Sequence, residues 1–379
     1  MLFFVFLILS YFFLFVFSYL WVDFNLSLTH YSFLVNFLDK FQHWGYFNRF
    51  LSAKIYLGLL VILFGSQLYL LFSNFLQKQS LKKLLVLAGI IVLLGSLSYP
   101  FLSHDIFNYL FDAKIVWRYH QNPYLQAPQS FSGDHWLRFM HWVHRTCPYG
   151  PIWLLYTLIP GLLSFGKFVI NFYGLKLLNG LLFFSTGWLL LKINKNDKKV
   201  FAYWFFNPLL VIELLVNAHN DLLMIALFLL TALFIKEKSR KSTWLLFLCS
   251  IATKYVSLLL APVLFLSKKW REIFWPLVLS GFLFAFAYRA EGFQIWYFTW
   301  LFMALPLMKL NLFFWSLVFV LEAIILIFKY YPFILTGFWQ ETSFFVVFRV
   351  LFILYGAVFS FFVLQLKPWK NLKIFGRKV

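Results

Sequence analysis

Charge is what this 379-residue chain has least of. Only 12% of its residues are Asp, Glu, Lys or Arg, roughly half of what a soluble domain carries. That shortage excludes a water-facing surface over most of the chain. Acidic residues are scarcer still, 13 against 33 Lys and Arg, for a formal net charge of +20. Cysteine is nearly missing: Cys147 and Cys249 lie in different kinds of segment, so neither a disulfide framework nor a metal-type spacing is available. Linkers, low-complexity runs and short-period repeats are absent too, which leaves one domain over residues 1–379. The N-terminal "MLFFVFLILSYFFLFVFSYLW" has no basic n-region and no small-residue cleavage site. It reads as a retained first helix.

What the chain does have is apolar bulk. It is 63% hydrophobic and 24% aromatic, with a mean hydropathy of +0.81. Apolar runs recur from end to end, and the expectation is an all-α polytopic membrane protein of roughly 11–13 transmembrane helices. The basic residues collect in short clusters between those runs: "QKQSLKK" (77–83), "KINKNDKK" (192–199), "KEKSRK" (236–241), "SKKWRE" (267–272) and "KPWKNLKIFGRK" (367–378). Such clusters mark cytoplasmic loops and favour anionic head groups. The net positive charge therefore points to membrane lipids as partners and not to nucleic acid.

With both ends cytoplasmic, the clusters order the chain. Residues 1–100 supply N-terminal helices near 3–22, 52–75 and 84–100, with an external loop at 23–51. Residues 101–168 form an external loop with juxtamembrane helices, and 169–379 the remaining bundle. "YGPIWLLYTLIPGLLSF" (149–165) is short and interrupted by Pro160; it fits a helix lying along the outer interface or dipping in and returning, with a short true span as the alternative. Further crossings are expected at 169–191, 200–216, 222–235, 273–289, 295–308, 311–329 and 344–365. Residues 243–267 lie between two basic clusters, so a pair of half-helices turning near Thr253 and Lys254 is expected.

Ionisable groups at membrane depth cost about 2.5–3.5 kcal/mol on insertion scales, so those that occur face wet cavities or each other. Four stretches carry them, all on the external side in this topology. In "SHDIFNYLFDAKIVWRYH", Asp105, Asn108 and Asp112 share one helical face at i, i+3 and i+7, beside His104 and Arg118. "NPY" (Asn122, Tyr124) and "CPYGP" (Tyr149) flank the same external loop; either turns and interfacial anchoring or a pocket wall accounts for them. "NPLLVIELLVNAHND" holds Glu213 inside a span, with His219, Asn220 and Asp221 at its end. "ATKYVSLLLAP" buries Lys254, an ion-pair partner for Glu213 or Asp221 or a phosphate ligand. Arg289, in "YRAEGFQIWYFTW", adds a candidate cation at an external boundary.

Taken in order, "SHDIFNYLFDAKIV…NPY", "YGPIWLL", "NPLLVIELLVNAHND" and "ATKYVSLLLAP" resemble the GT-C superfamily of integral-membrane glycosyltransferases. The resemblance is to the polyprenyl-phosphate-mannose-dependent mannosyltransferases and glycosyltransferase family 87, over about residues 100–265. It implies a GT-C-like bundle that moves a hexose such as mannose from a polyprenyl-monophosphate donor to a glycolipid, glycan or other envelope acceptor. Transfer would be inverting, on the extracytoplasmic face of the cell membrane. Asp105 maps to the general base. Lys254, Arg289, Arg118, His219, Asn220, Asp221 and Glu213 would bind donor phosphate or sugar. His104, Asp112, Asn122, Tyr124 and Tyr149 would shape the acceptor pocket. No cofactor is required, with a divalent cation open as an alternative because Asp105, Asp112, Glu213 and Asp221 could reach one cavity. The competing reading is a transporter or flippase of lipid-linked sugars, which would share the broken helix and the intramembrane Glu213, Lys254 and Glu322.

Overall fold

The computed structural model describes residues 2–21, 28, 30–236, 240–261, 264, 266, 268–307, 312–339, 344–364, 373–374 and 377–378. Most of the expected basic tail at 367–378, and part of the 236–241 cluster, lie outside the described residues. The described chain is helical apart from a two-residue antiparallel pairing of Lys373–Ile374 with Arg377–Lys378. Its helices are α1 (Leu2–Leu20), α2 (Ser32–Trp44), α3 (Arg49–Phe72), α4 (Leu81–Leu97), α5 (Asp105–Trp117), α6 (Pro151–Leu163), α7 (Phe168–Ile193) and α8 (Lys198–Phe205). There follow α9 (Pro208–Val216), α10 (Asp221–Lys236), α11 (Arg240–Thr253), α12 (Lys268–Tyr288), α13 (Leu312–Thr336) and α14 (Phe345–Leu364).

Among the described residues, α1, α3, α7, α13 and α14 are long and apolar enough to cross a membrane. The pair α8–α9, bent by 40° at its break, makes a sixth if counted as one span. The apolar runs behind the expected crossings thus divide into five or six long helices and several shorter ones. The Asn207–Pro208 step and Lys254 do the dividing, whereas α6 runs on through Pro160, which the sequence suggested as an interruption. Residues 295–308, expected as a crossing, instead wind as tight three-residue turns over Ile295–Met303 and Leu305–Leu307. Among the described residues that stretch does not form one of the long apolar helices. The expected loop at 23–51 contains α2, whose Phe33, Phe37 and Trp44 are exposed.

Two ends of the bundle can be told apart. At one, Lys198 donates to the carbonyls of Gln77 and Gln79 (3.1 and 2.7 Å), tying together the basic loops that precede α4 and α8. From there α4 runs away, with α7 packed against it in the opposite sense. At the far end Phe168, which opens α7, stacks on Phe139 at 4.1 Å. α5 and α6 pack together at that end.

The N-terminal helices are core elements. Tyr11 of α1 donates to Phe206 O (2.9 Å), satisfying a carbonyl freed where α8 breaks. Asn207 caps the restart by accepting from the Leu210 amide (3.2 Å), and Pro208 opens the new helix where its missing N–H costs nothing. The break is therefore saturated from within the protein, as backbone at membrane depth requires.

Candidate active site

A cavity of about 350 Å³ opens at the end of the bundle away from the Lys198 crossing. Five segments build its wall: the start of α5 (Asp105), the loop before α6 (Trp142, Arg145, Pro148, Tyr149, Gly150), the entry to α10 (Asn220), the break after α11 (Ile251, Thr253, Lys254, Tyr255) and the 294–297 turn (Gln294, Trp296, Tyr297).

Asp105 is the first residue of α5, where a carboxylate is favoured by the helix dipole. Its amide is held by Ser103 Oγ (3.3 Å). The face read from the sequence is buried throughout, but its three members do different things. Asp105 lines the cavity. Asn108 donates to Trp142 O (3.2 Å) and pins the loop before α6. Asp112 turns to the Cys147 thiol, away from the cavity; burial pushes its carboxyl up to about 7, against the pull of Cys147 and Arg145.

The loop motifs brace Tyr149. Tyr124 donates to Tyr149 O (3.0 Å), Asn122 Oδ1 accepts from the Tyr124 amide (2.9 Å), and the Cys147 amide donates to Pro123 O (2.9 Å). Asn122 and Tyr124 therefore act from behind the wall. The Tyr149 hydroxyl reaches Asp105 Oδ1 at 3.5 Å, the long limit of a hydrogen bond. Burial and the neighbouring Asp105 push its phenol up, which keeps it a donor. Gly150 packs on the end of α11 so closely that a Cβ there would lie 2.1 Å from Ala252 O.

That contact sits beside the break expected near Thr253 and Lys254. α11 ends at Thr253, and Lys254 is extended (φ −159°, ψ 126°). Its ammonium reaches Asp221 Oδ1 at 2.8 Å, with a side chain 24% exposed against 0% for Asp221. Trp300 Nε1 donates to the same oxygen. The ion-pair reading of Lys254 is thus the one the fold adopts toward Asp221, while its exposed flank still faces the cavity.

Behind Asp105 runs a second chain of polar groups. His219 Nδ1 lies 3.6 Å from Asp105 Oδ2, and Nε2 lies 3.3 Å from Glu213 Oε2. Tyr330 donates to Glu213 Oε1 (2.8 Å) and Asn217 to Oε2 (3.4 Å). The His219 ring stacks on Trp296 at 4.1 Å. The local backbone makes this possible: α9 widens from Val211, with the Asn217 amide bonded to Ile212 O (2.8 Å) and that of His219 to Glu213 O (3.1 Å). Widened turns of this kind concentrate at functional sites. Ala218 then takes a left-handed φ of 58°, and Lys176 of α7 caps the freed carbonyls of Leu215 and Val216 (2.7 and 2.6 Å).

Of the residues expected at the site, Asp105, Tyr149, Asn220 and Lys254 line the cavity, and His219, Glu213 and Asp221 stand directly behind it. Arg289 acts on Tyr297 from outside the lining. His104 stands beside His141, its ring 6.2 Å away. Arg118 caps the far end of α5, near the Lys114–Asp134 pair (2.6 Å). The carboxylates Asp105, Asp112, Glu213 and Asp221 do not converge, and among the described residues no cluster of three or more His, Cys, Asp or Glu is arranged to hold a metal. Arg145 was not anticipated. Its guanidinium lies over Trp142 (4.6 Å) and pulls Asp105 down; its signal was one more basic residue in a loop rich in them. Burial is the larger influence on Asp105 and leaves it raised, with His219, Arg145 and Lys254 opposing and Asp221 adding to the rise.

A bundle of long apolar helices with a carboxylate-and-cation cavity at one end is the anatomy of a membrane-embedded transferase. The family model of the alpha-(1->6)-mannopyranosyltransferases (MptA_B family), N-terminal domain, matches residues 33–268, well over half of the chain. The chain belongs to that family and is a glycosyltransferase of the mannosyl-transferring kind. The enzyme reading therefore displaces the transporter. No curated protein and no solved structure matches the chain.

Proposed function

We propose that the enzyme transfers mannose from a polyprenyl-monophosphate carrier to the primary hydroxyl of an envelope glycan or glycolipid, on the extracytoplasmic face of the cell membrane, with Asp105 as general base. The observation that carries this is Asp105 itself: a buried carboxylate with access to the cavity, facing two cations across it. As the acceptor oxygen bonds to the anomeric carbon, its O–H bond breaks and the proton passes to Asp105. The bond from that carbon to phosphate breaks with its electron pair leaving on the phosphate. Charge builds on the leaving group, which needs fixed cations and no proton donor; Lys254 and Arg145 supply them. A single inversion from a β-linked donor delivers the α linkage in the family's description.

The aromatic wall of Trp142, Tyr255, Trp296 and Tyr297 offers faces for a sugar ring, with Asn220 and Gln294 for its hydroxyls. The polyprenyl tail would lie against the apolar helices. Transfer from labelled polyprenyl-phosphate mannose in membrane vesicles, wild type beside Asp105→Asn at equal expression, tests the reading. The expected outcome is a loss of about 10²–10⁴-fold in the variant. Undiminished transfer by Asp105→Asn removes the base. Turnover of nucleotide-linked but not lipid-linked mannose removes the donor.

A further inference from the structure

His219 and Glu213 have side chains no more than 1% exposed, and neither lines the cavity. They cannot touch a substrate lying against Asp105. What they touch is Asp105 and each other, and each is held from outside the pair. We propose that Glu213 and His219 are positioning residues for Asp105, forming an ordered chain Glu213–His219–Asp105 that aims the carboxylate at the acceptor and balances its change of charge. The proposal rests on Asp105 being the base.

Three observations support it. The two ring nitrogens of His219 each face a different carboxylate, at 3.6 and 3.3 Å; this is the base-with-orienter geometry, in which a third group fixes the second. The ring cannot swing away, because Trp296 covers its face at 4.1 Å. The backbone also carries a cost to put it there: a left-handed Ala218, whose carbonyl accepts from Asn179 (3.4 Å), beside carbonyls capped by the fully buried Lys176. A non-glycine residue in that conformation costs on the order of 1–3 kcal/mol and persists only where its surroundings enforce it. Both His219 nitrogens stand just outside hydrogen-bonding geometry, the slack expected of a chain that tightens when substrate closes the site.

The chain can be separated from simple binding by kinetics of the full-length enzyme in detergent with polyprenyl-phosphate mannose. His219→Gln and Glu213→Gln should each lower kcat about 10- to 100-fold, with donor KM within about twofold. The double variant should be no worse than the more damaged single. Removing His219 also removes its downward pull on Asp105, so the acid limb of kcat should move to higher pH. Asp105 also faces Arg145 and Tyr149 from the loop before α6, Lys254 after α11, Asp221 on α10, Tyr297 in the 294–297 turn, Tyr330 on α13 and Tyr109 on its own helix. Glu213 faces Tyr56 and Tyr330. The shift is therefore read between variants at constant surroundings. Tyr330→Phe removes one oxygen and should give a smaller loss of the same kind, keeping the test decisive if a larger change misfolds. A raised KM at unchanged kcat, or losses that multiply in the double variant, would overturn the chain. Wild-type rates from Asp105→Asn would instead sink the base reading itself.

Discussion

Glu213 and Glu322 look alike in the sequence: each is a lone carboxylate in an apolar run, and each is fully buried in the fold. Their surroundings differ in one respect. Both oxygens of Glu322 are closed by neutral donors, Tyr203 (2.9 Å) and Asn207 (3.0 Å), so the contact ends there and ties α13 to the break between α8 and α9. Glu213 has one oxygen closed by Tyr330. The other accepts from Asn217 (3.4 Å) but is also turned to His219, a titratable ring that leads on to Asp105 and the cavity. On the proposed chain, the carboxylate whose donors end its network is structural and the one whose neighbours continue it to Asp105 is functional. Burial alone, complete for both, does not decide.

The comparison can be broken most forcefully at the two carboxylates. Glu213→Gln should slow turnover by the 10- to 100-fold given above while leaving thermal stability in detergent nearly unchanged. Glu322→Leu should do the reverse: the Tyr203 hydroxyl and Asn207 amide are left unpaired, at about 1–3 kcal/mol each. Melting temperature would fall while turnover per folded molecule holds. Slower turnover by Glu322→Leu at wild-type stability would erase the distinction.

Asp112 offers a third carboxylate, outside both networks. Its folded carboxyl is raised to about 7, so the folded state binds more protons than the unfolded one between the ordinary range near 4 and that value. Stability should therefore decline as pH rises through this window. Asp112→Asn should abolish the decline and gain on the order of 1–3 kcal/mol above pH 7, seen as melting curves that differ at pH 8 and coincide at pH 4. Curves that stay parallel would mean that the site relaxes or takes up water.

Smaller effects sharpen the picture at the cavity mouth. Gly150→Ala forces the loop off the Ala252 and Thr253 carbonyls and should cost about tenfold in kcat/KM by moving Lys254 against Asp105. Gly281→Ala, with open space around the added carbon, should cost nothing. The mildest expectation is the pH profile of the wild type. With Asp105 as the proposed base, activity needs it ionised, and burial raises it, so kcat/KM should fall on acidification from a pH above the usual carboxylate range near 4. A limb at or below that range would place the base elsewhere.

Much of the site was legible because polar residues are costly in an apolar chain. Asp105, Glu213, His219, Asp221 and Lys254 stood out by rarity, and the helical break at Lys254 followed from basic residues on both sides of one run. Arg145 and Lys176 did not stand out: one lay among the polar residues of a loop, the other was a single lysine in a helix whose partners, Leu215 and Val216, offer only backbone carbonyls. The 295–303 segment read as a crossing because hydropathy reports apolarity and not the path the backbone takes. Its Trp296 and Trp300 prove to cover His219 and hold Asp221.

Composition and the spacing of apolar runs were enough to determine a helical membrane protein with its scarce charges gathered near one set of loops, since solvation free energy depends on residue type and period alone. Tertiary structure decided which charges meet. The tyrosines come from a hundred or more positions away, Tyr330 for Glu213 and Tyr203 for Glu322, and His219, six residues from Glu213, meets Asp105 only through the fold. Only packing brings such groups within the few ångströms over which a proton can be shared.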